Sequence, residues 1–201
     1  MDTIDGVHAV RPDADTTATP SVASVTVEFP PHRHTQDAAI AALADWAGTE
    51  FQRFAASSGV EARNFALPLS QYTELNGFTD ANDAFIDVAL ELCEQALLSA
   101  LAAANVEPSE VDIVFSTTVT GLAVPTLDAR LATRVGLRPD VKRVPLFGLG
   151  CVAGAAGVAR MHDYLRAFPD QVAALIAVEL CSLTVQHNDR SIPNLIATSL
   201  F

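Results

Sequence analysis

Apolar positions alternate near the start of the chain, then settle into helical spacing, and beyond about residue 110 the two patterns take turns. Ser24 to Phe29 (SVTVEF) alternates apolar and polar side chains and predicts a strand, closed by Pro30 and Pro31. Thr35 is placed to cap a helix through AAIAALADWA, with Gln36 and Asp37 in its first turn. A short helix is predicted around Phe51 to Ala56, followed by the extended ARNFALPL. Asp80 opens the longest helix, residues 81–104, in which Phe85, Val88, Leu92, Leu97 and Leu101 recur on one face. Cys93 falls inside that helix and reads as a small core residue.

Strands and helices then alternate. VDIVFST predicts a strand, a Gly/Pro loop follows, and residues 127–135 predict a helix. VKRVPLF is the next strand, and a helix over residues 152–168 opens directly from Cys151. AALIAVEL is apolar throughout, as a strand buried on both faces would be. Residues 194–201 begin another helix, and the sequence stops inside it with no Gly, Pro or polar cluster. The fold class expected is layered α/β.

Half of the residues are apolar and only 18% are charged, which predicts a sizeable core and surface hidden against a second domain or subunit. A net charge of −12 argues against nucleic acid as a partner, because phosphate binding needs a basic footprint. Apolar runs such as Val172 to Val178 are far too short to span a membrane. Residues 1–22 carry acids and prolines where a signal peptide would be basic and then apolar; they read as a disordered tail ahead of a domain at 23–201. Cys93, Cys151 and Cys181 are odd in number and lack metal or redox spacing, so a reduced, cytoplasmic compartment is expected. His32 and His34 in PHRH have no third ligand nearby and read as a surface loop; no metal is expected.

The turn FGLGCVAGAAG carries the chemistry. Gly148 and Gly150 flank it and Cys151 begins a helix, whose free N–H groups and partial positive charge favour a thiolate. Small residues from Ala153 to Gly157 would let this helix pack closely between sheets. On the residues alone, a nucleophile and a buried core cysteine both remain open.

The longer stretch VFSTTVTGLAVPTLDARLATRVGLRPDVKRVPLFGLGCVAGAAG resembles type III polyketide synthases of the chalcone synthase family in order and spacing. VELCSLT and NLIATSLF extend the resemblance to Phe201, with wording closer to bacterial members. The resemblance implies the N-terminal half of a thiolase-like fold: a mixed sheet flanked by helices, with a buried central helix after Cys151. It implies a homodimer that loads an acyl group from acyl-CoA onto Cys151 and condenses it with malonyl-CoA, using CoA thioesters as substrates and no cofactor. The family's His and Asn, which activate malonyl-CoA, are expected beyond residue 201, and none of His8, His32, His34, His162 or His187 sits in the matching motif. By resemblance Phe201 is a gatekeeper between CoA tunnel and cavity, and Thr120 and Val119 line the cavity. Cys181 and Thr184 form its wall, and Val124 reaches into a partner's cavity. Of a basic trio that contacts CoA, only Arg53 is kept, with Glu50 and Ser57 at the other positions; an acyl-carrier-protein donor is the alternative this raises.

The implied products are alkylpyrones, alkylresorcinols or polyhydroxynaphthalenes, with a fatty acyl starter favoured by the small residues Val119, Thr120 and Cys181. The alternatives are a ketoacyl synthase III-like condensing enzyme, or a truncated half that acts only in dimerisation. The expectation is that the 201-residue chain does not condense malonyl units alone; efficient turnover by the purified chain would contradict it.

Overall fold

The computed structural model describes residues 19–186 and 188–200, without the side chains of residues 44–47. The tail through residue 18, His187 and Phe201 lie outside the described residues. Among those described, no helix is long and apolar enough to cross a membrane.

A parallel sheet of three strands organises the chain, in the order β4 (Lys142–Leu146), β3 (Ile113–Thr117) and β5 (Ala173–Ala177). β3 is buried along its whole length because it pairs on both edges; β5 is an outer strand, and Ala177 is exposed. The expectation of a doubly buried third strand is therefore corrected. Its apolar run reflects one packed face and one shared edge. Instead of one mixed sheet there are two: the parallel one and an antiparallel pair, β1 (His32–Thr35) with β2 (Ala62–Phe65). PHRH thus lies largely in a strand rather than a loop, and the His34 ring meets Phe65 edge-on at 5.8 Å.

Helix α1 (Gln36–Ser57) starts as expected, with Thr35 Oγ1 accepting from the Ala38 N–H at 3.2 Å. Gly48, at φ 73°, breaks it into the two predicted helices. α2 (Phe78–Ala104) begins three residues earlier than its periodicity indicated, and Asn105 closes it in the left-handed region at φ 54°. Its face of Phe85, Leu92, Cys93, Leu97 and Leu101 forms the centre of the main core. Burial pushes the Cys93 thiol up to about 12. α3 (Leu127–Arg134) is tied to the sheet by Asp128, whose buried carboxylate accepts from Ser116 Oγ at 2.6 Å and pairs with Arg143 at 3.3 Å.

The predicted strand at Ser24–Phe29 does not form among the described residues, and the segment lies along α2 instead. Ser24 and Thr26 donate to the carbonyls of Ala100 and Ala96, both at 2.7 Å. The polar half of the alternation faces the helix, and Val25, Val27 and Phe29 stay exposed.

α4 (Ala153–Ala167) is packed on one side only. Gly157 lies against Leu175 of β5, while Val158 is 53% exposed on the other face. The expected central helix buried between layers is thus half-open in this chain, because only one sheet covers it. α5 (Ile192–Leu200) packs on α1 through Leu195. Its last turn is held by Arg63, which donates to the carbonyls of Thr198 (2.8 Å) and Ser199 and to Gln36 Oε1 (2.8 Å). Burial draws the Arg63 pKa down.

A Cβ on Gly157 would sit 2.7 Å from Leu175 Cδ1, whereas one on Gly154 meets nothing within 4 Å. Gly157→Val should therefore cost about 1–3 kcal/mol, and Gly154→Ala should stabilise by up to about 1 kcal/mol. Urea unfolding midpoints check both.

Candidate active site

In parallel register the strands of one sheet end together. Thr117 is level with Leu146 and with Ala177, so the segments leaving β3, β4 and β5 emerge along one edge. A ligand crevice outside the carboxyl ends of parallel strands is the general rule for such sheets.

The β4 exit carries Cys151. Gly148 (φ 84°) and Gly150 (φ 56°) both adopt left-handed backbone, which side chains with a Cβ resist. The chain turns sharply there and delivers Cys151, exposed, into a single 3₁₀ turn (Gly150–Val152) that runs into α4. The sequence predicted the helix over residues 152–168, opening from Cys151; the α-helix starts one residue later, at Ala153, after the 3₁₀ turn. Cys151 still lies just before the N-terminus of α4, the positive end of the helix dipole.

The β3 exit carries Thr118, Val119 and Thr120, and the β5 exit carries Glu179 and then a 3₁₀ turn, Cys181–Thr184. Glu179 joins the two. Its carboxylate accepts from the Val119 N–H (3.0 Å), the Thr120 N–H (3.1 Å), Thr120 Oγ1 (2.7 Å) and Thr118 Oγ1 (3.3 Å). Thr120 Oγ1 in turn accepts from the Leu180 N–H at 2.9 Å. Cys181 follows directly, half-buried in the turn rather than at the strand end, and its carbonyl accepts from Thr184 Oγ1 at 2.7 Å. Burial raises the Cys181 pKa, and the neighbouring charge of Glu179 raises it further.

Five of the residues singled out in the sequence therefore share one edge: Cys151, Val119, Thr120, Cys181 and Thr184. Beside them an apolar crevice of about 140 Å³ opens against Thr117, Gly121, Leu122, Phe147 and Val178. Val124 stands apart on the following loop, 92% exposed. Arg53 is on α1, away from the edge, exposed and 5.1 Å from the ring of Phe54. Phe201 lies outside the described residues. Glu179 was missed by sequence reasoning, although a lone carboxylate inside the apolar run AALIAVEL was a usable signal. Among the described residues, no group of His, Cys, Asp and Glu is arranged to hold a metal ion.

Comparison with known proteins bears on this edge. Residues 39–201 match the family described as FAE1/Type III polyketide synthase-like protein. The chain is 49% identical over 187 residues to 1,3,6,8-tetrahydroxynaphthalene synthase of Streptomyces peucetius subsp. caesius, covering 90% of this chain and 49% of that protein. The crystal structure of 1,3,6,8-tetrahydroxynaphthalene synthase from Streptomyces coelicolor A3(2) superposes with a TM-score of 0.80 at 27% identity, over 89% of this chain and 52% of that one. PKS-I from the brown alga Ectocarpus siliculosus gives a TM-score of 0.83 at 25% identity, over 92% and 54%. The chain spans about half the length of the relatives it matches.

The three thiols differ in exposure and environment, so alkylation distinguishes them. Near neutral pH iodoacetamide should modify Cys151 at least about tenfold faster than Cys181, because thiolate fraction and access set the rate. Cys181 should gain reactivity as pH rises, since its thiol ionises late, and Cys93 should stay unmodified until the chain unfolds. Peptide mapping reads the order; Cys181 reacting first would contradict it.

Proposed function

The chain belongs to the FAE1/type III polyketide synthase-like family, and we propose that the complete gene product is an acyltransferase that builds a polyketide on Cys151. The observation that carries this is the exposed cysteine between two left-handed glycines and the start of α4, at the edge where all three parallel strands end. In the proposed reaction the Cys151 thiolate attacks the carbonyl carbon of an acyl-CoA. The carbon–sulfur bond to CoA breaks, and CoA leaves with its electron pair. Malonyl-CoA then loses CO₂, and the electron pair released forms a carbon–carbon bond at the thioester carbonyl. The Cys151 thiolate departs as the chain transfers to CoA. The positive end of α4 stabilises that thiolate in both steps. By resemblance, a His and an Asn drive the decarboxylation, and none of the five histidines of this chain is assigned to that His.

Val119, Thr120, Cys181 and Thr184 form the wall of the cavity in this reading, with Phe201 as its gate. Val124, 92% exposed, enters the cavity of a second copy in a homodimer. Arg53 contacts the CoA phosphates; the net charge of −12 and the replacement of the other two basic positions by Glu50 and Ser57 weaken those contacts and leave an acyl carrier protein as the alternative donor. The similarity to 1,3,6,8-tetrahydroxynaphthalene synthase favours a malonyl starter and a polyhydroxynaphthalene product. A fatty acyl starter, leading to an alkylpyrone or alkylresorcinol, is the second reading, favoured by the apolar crevice beside the edge.

The test incubates the complete gene product with malonyl-CoA alone and with added fatty acyl-CoA, and identifies products by mass. Malonyl-CoA alone should suffice for an aromatic product, and Cys151→Ala should reduce its formation by more than about a thousandfold. Product only with the fatty acyl-CoA would select the second reading. Undiminished turnover by Cys151→Ala would overturn the proposal.

A further inference from the structure

The loop that carries Val124 is pinned at both ends. Asn82, half-buried on the first turns of α2, donates from Nδ2 to the Leu122 carbonyl at 2.9 Å and accepts from the Leu122 N–H at 2.7 Å. One side chain thus satisfies both backbone groups of a single loop residue, as a neighbouring strand would. Gly121, next to it, rests on the buried Phe85 so closely that a Cβ would lie 2.0 Å from the ring. At the far end Arg130 donates to the carbonyls of Pro125 (3.0 Å) and Val124 (3.5 Å). Between these anchors Val124 is 92% exposed. Water would satisfy the Leu122 backbone of an exposed loop equally well, so the Asn82 pairing adds geometry rather than solvation. Asn is also a weaker helix former than the alanines around it. What the pairing fixes is the direction in which an apolar side chain leaves the molecule.

We propose that Asn82 is a positioning residue, whose amide locks the Gly121–Pro125 loop so that Val124 is presented in fixed geometry to the cavity of a second copy. This rests on the reading above, in which Val124 acts in the partner's cavity. Gly121 and Leu122 also border the crevice beside this chain's own edge, so Asn82 touches both cavities, but through Val124 its larger effect falls on product formation in the other protomer.

Heterodimers of the complete gene product, with a different affinity tag on each protomer, test this, because one copy of Cys151→Ala leaves a single working cavity. In the first pairing, an N82A/C151A protomer joins an unaltered one, so the working cavity receives the loosened loop. In the second, an N82A protomer joins a C151A protomer, so the working cavity receives an intact loop. The product distribution should shift on the order of tenfold in the first pairing, as misplacement of a cavity-lining group does, and by clearly less in the second, where only the crevice bordered by Leu122 is disturbed. Equal shifts, or a shift in the second pairing alone, would show that Asn82 acts within its own protomer and overturn the proposal. V124A/C151A with an unaltered protomer is the control on the underlying reading. If that control changes products and neither N82A pairing does, Asn82 positions nothing; if the control itself is silent, the crossing of Val124 fails and the proposal falls with it. Should N82A not fold, N82D, which keeps the acceptor for the Leu122 N–H and loses the donor, serves in its place with a smaller shift in the same pairing.

Discussion

Parallel pairing of β3 on both edges is the constraint from which the site follows. With Thr117 level with Leu146 on one side and Ala177 on the other, three connections leave the sheet at one height. Residues far apart in the chain, Val119 and Thr120, Cys151, and Cys181 and Thr184, become neighbours for that reason alone. A slip of the pairing would move β4 and the cysteine turn along the sheet and reverse its inward and outward faces. The fully buried side chains of β3 resist such a slip.

Electrostatics refines what topology assembles. A carboxylate with several donors aimed at it is a stiff connector, and Glu179 holds the β3 exit against the β5 exit in this way. The same charge opposes ionisation of the half-buried Cys181, while Cys151 stands exposed at a helix start. Two thiols share one edge in different surroundings: one is exposed, the other half-buried beside a carboxylate.

Much of this was legible in the sequence because it is written in local signals. The cap at Thr35, the division between the helix through AAIAALADWA and that at 51–56, the periodicity of α2 and the glycine pair around Cys151 each report backbone geometry directly. The failures share a cause. The alternation of Ser24–Phe29 satisfies a strand template, but a strand needs a partner, and its hydroxyls found helix carbonyls instead. The apolar run of β5 described its composition and not its place at the sheet edge. The half-open face of α4 depends on what covers it, which no local pattern encodes. Glu179 and Asn82 were unread because their meaning lies in partners 40 to 61 residues away.

The central claim is that the cysteine turn carries the growing acyl group. Rapid quenching of the complete gene product during turnover, followed by proteolysis and tandem mass spectrometry, locates that group. The account predicts an acyl thioester on the Cys151 peptide and none on the peptides of Cys181 and Cys93. An acyl group on Cys181, or turnover with no acyl-enzyme on Cys151, would contradict it.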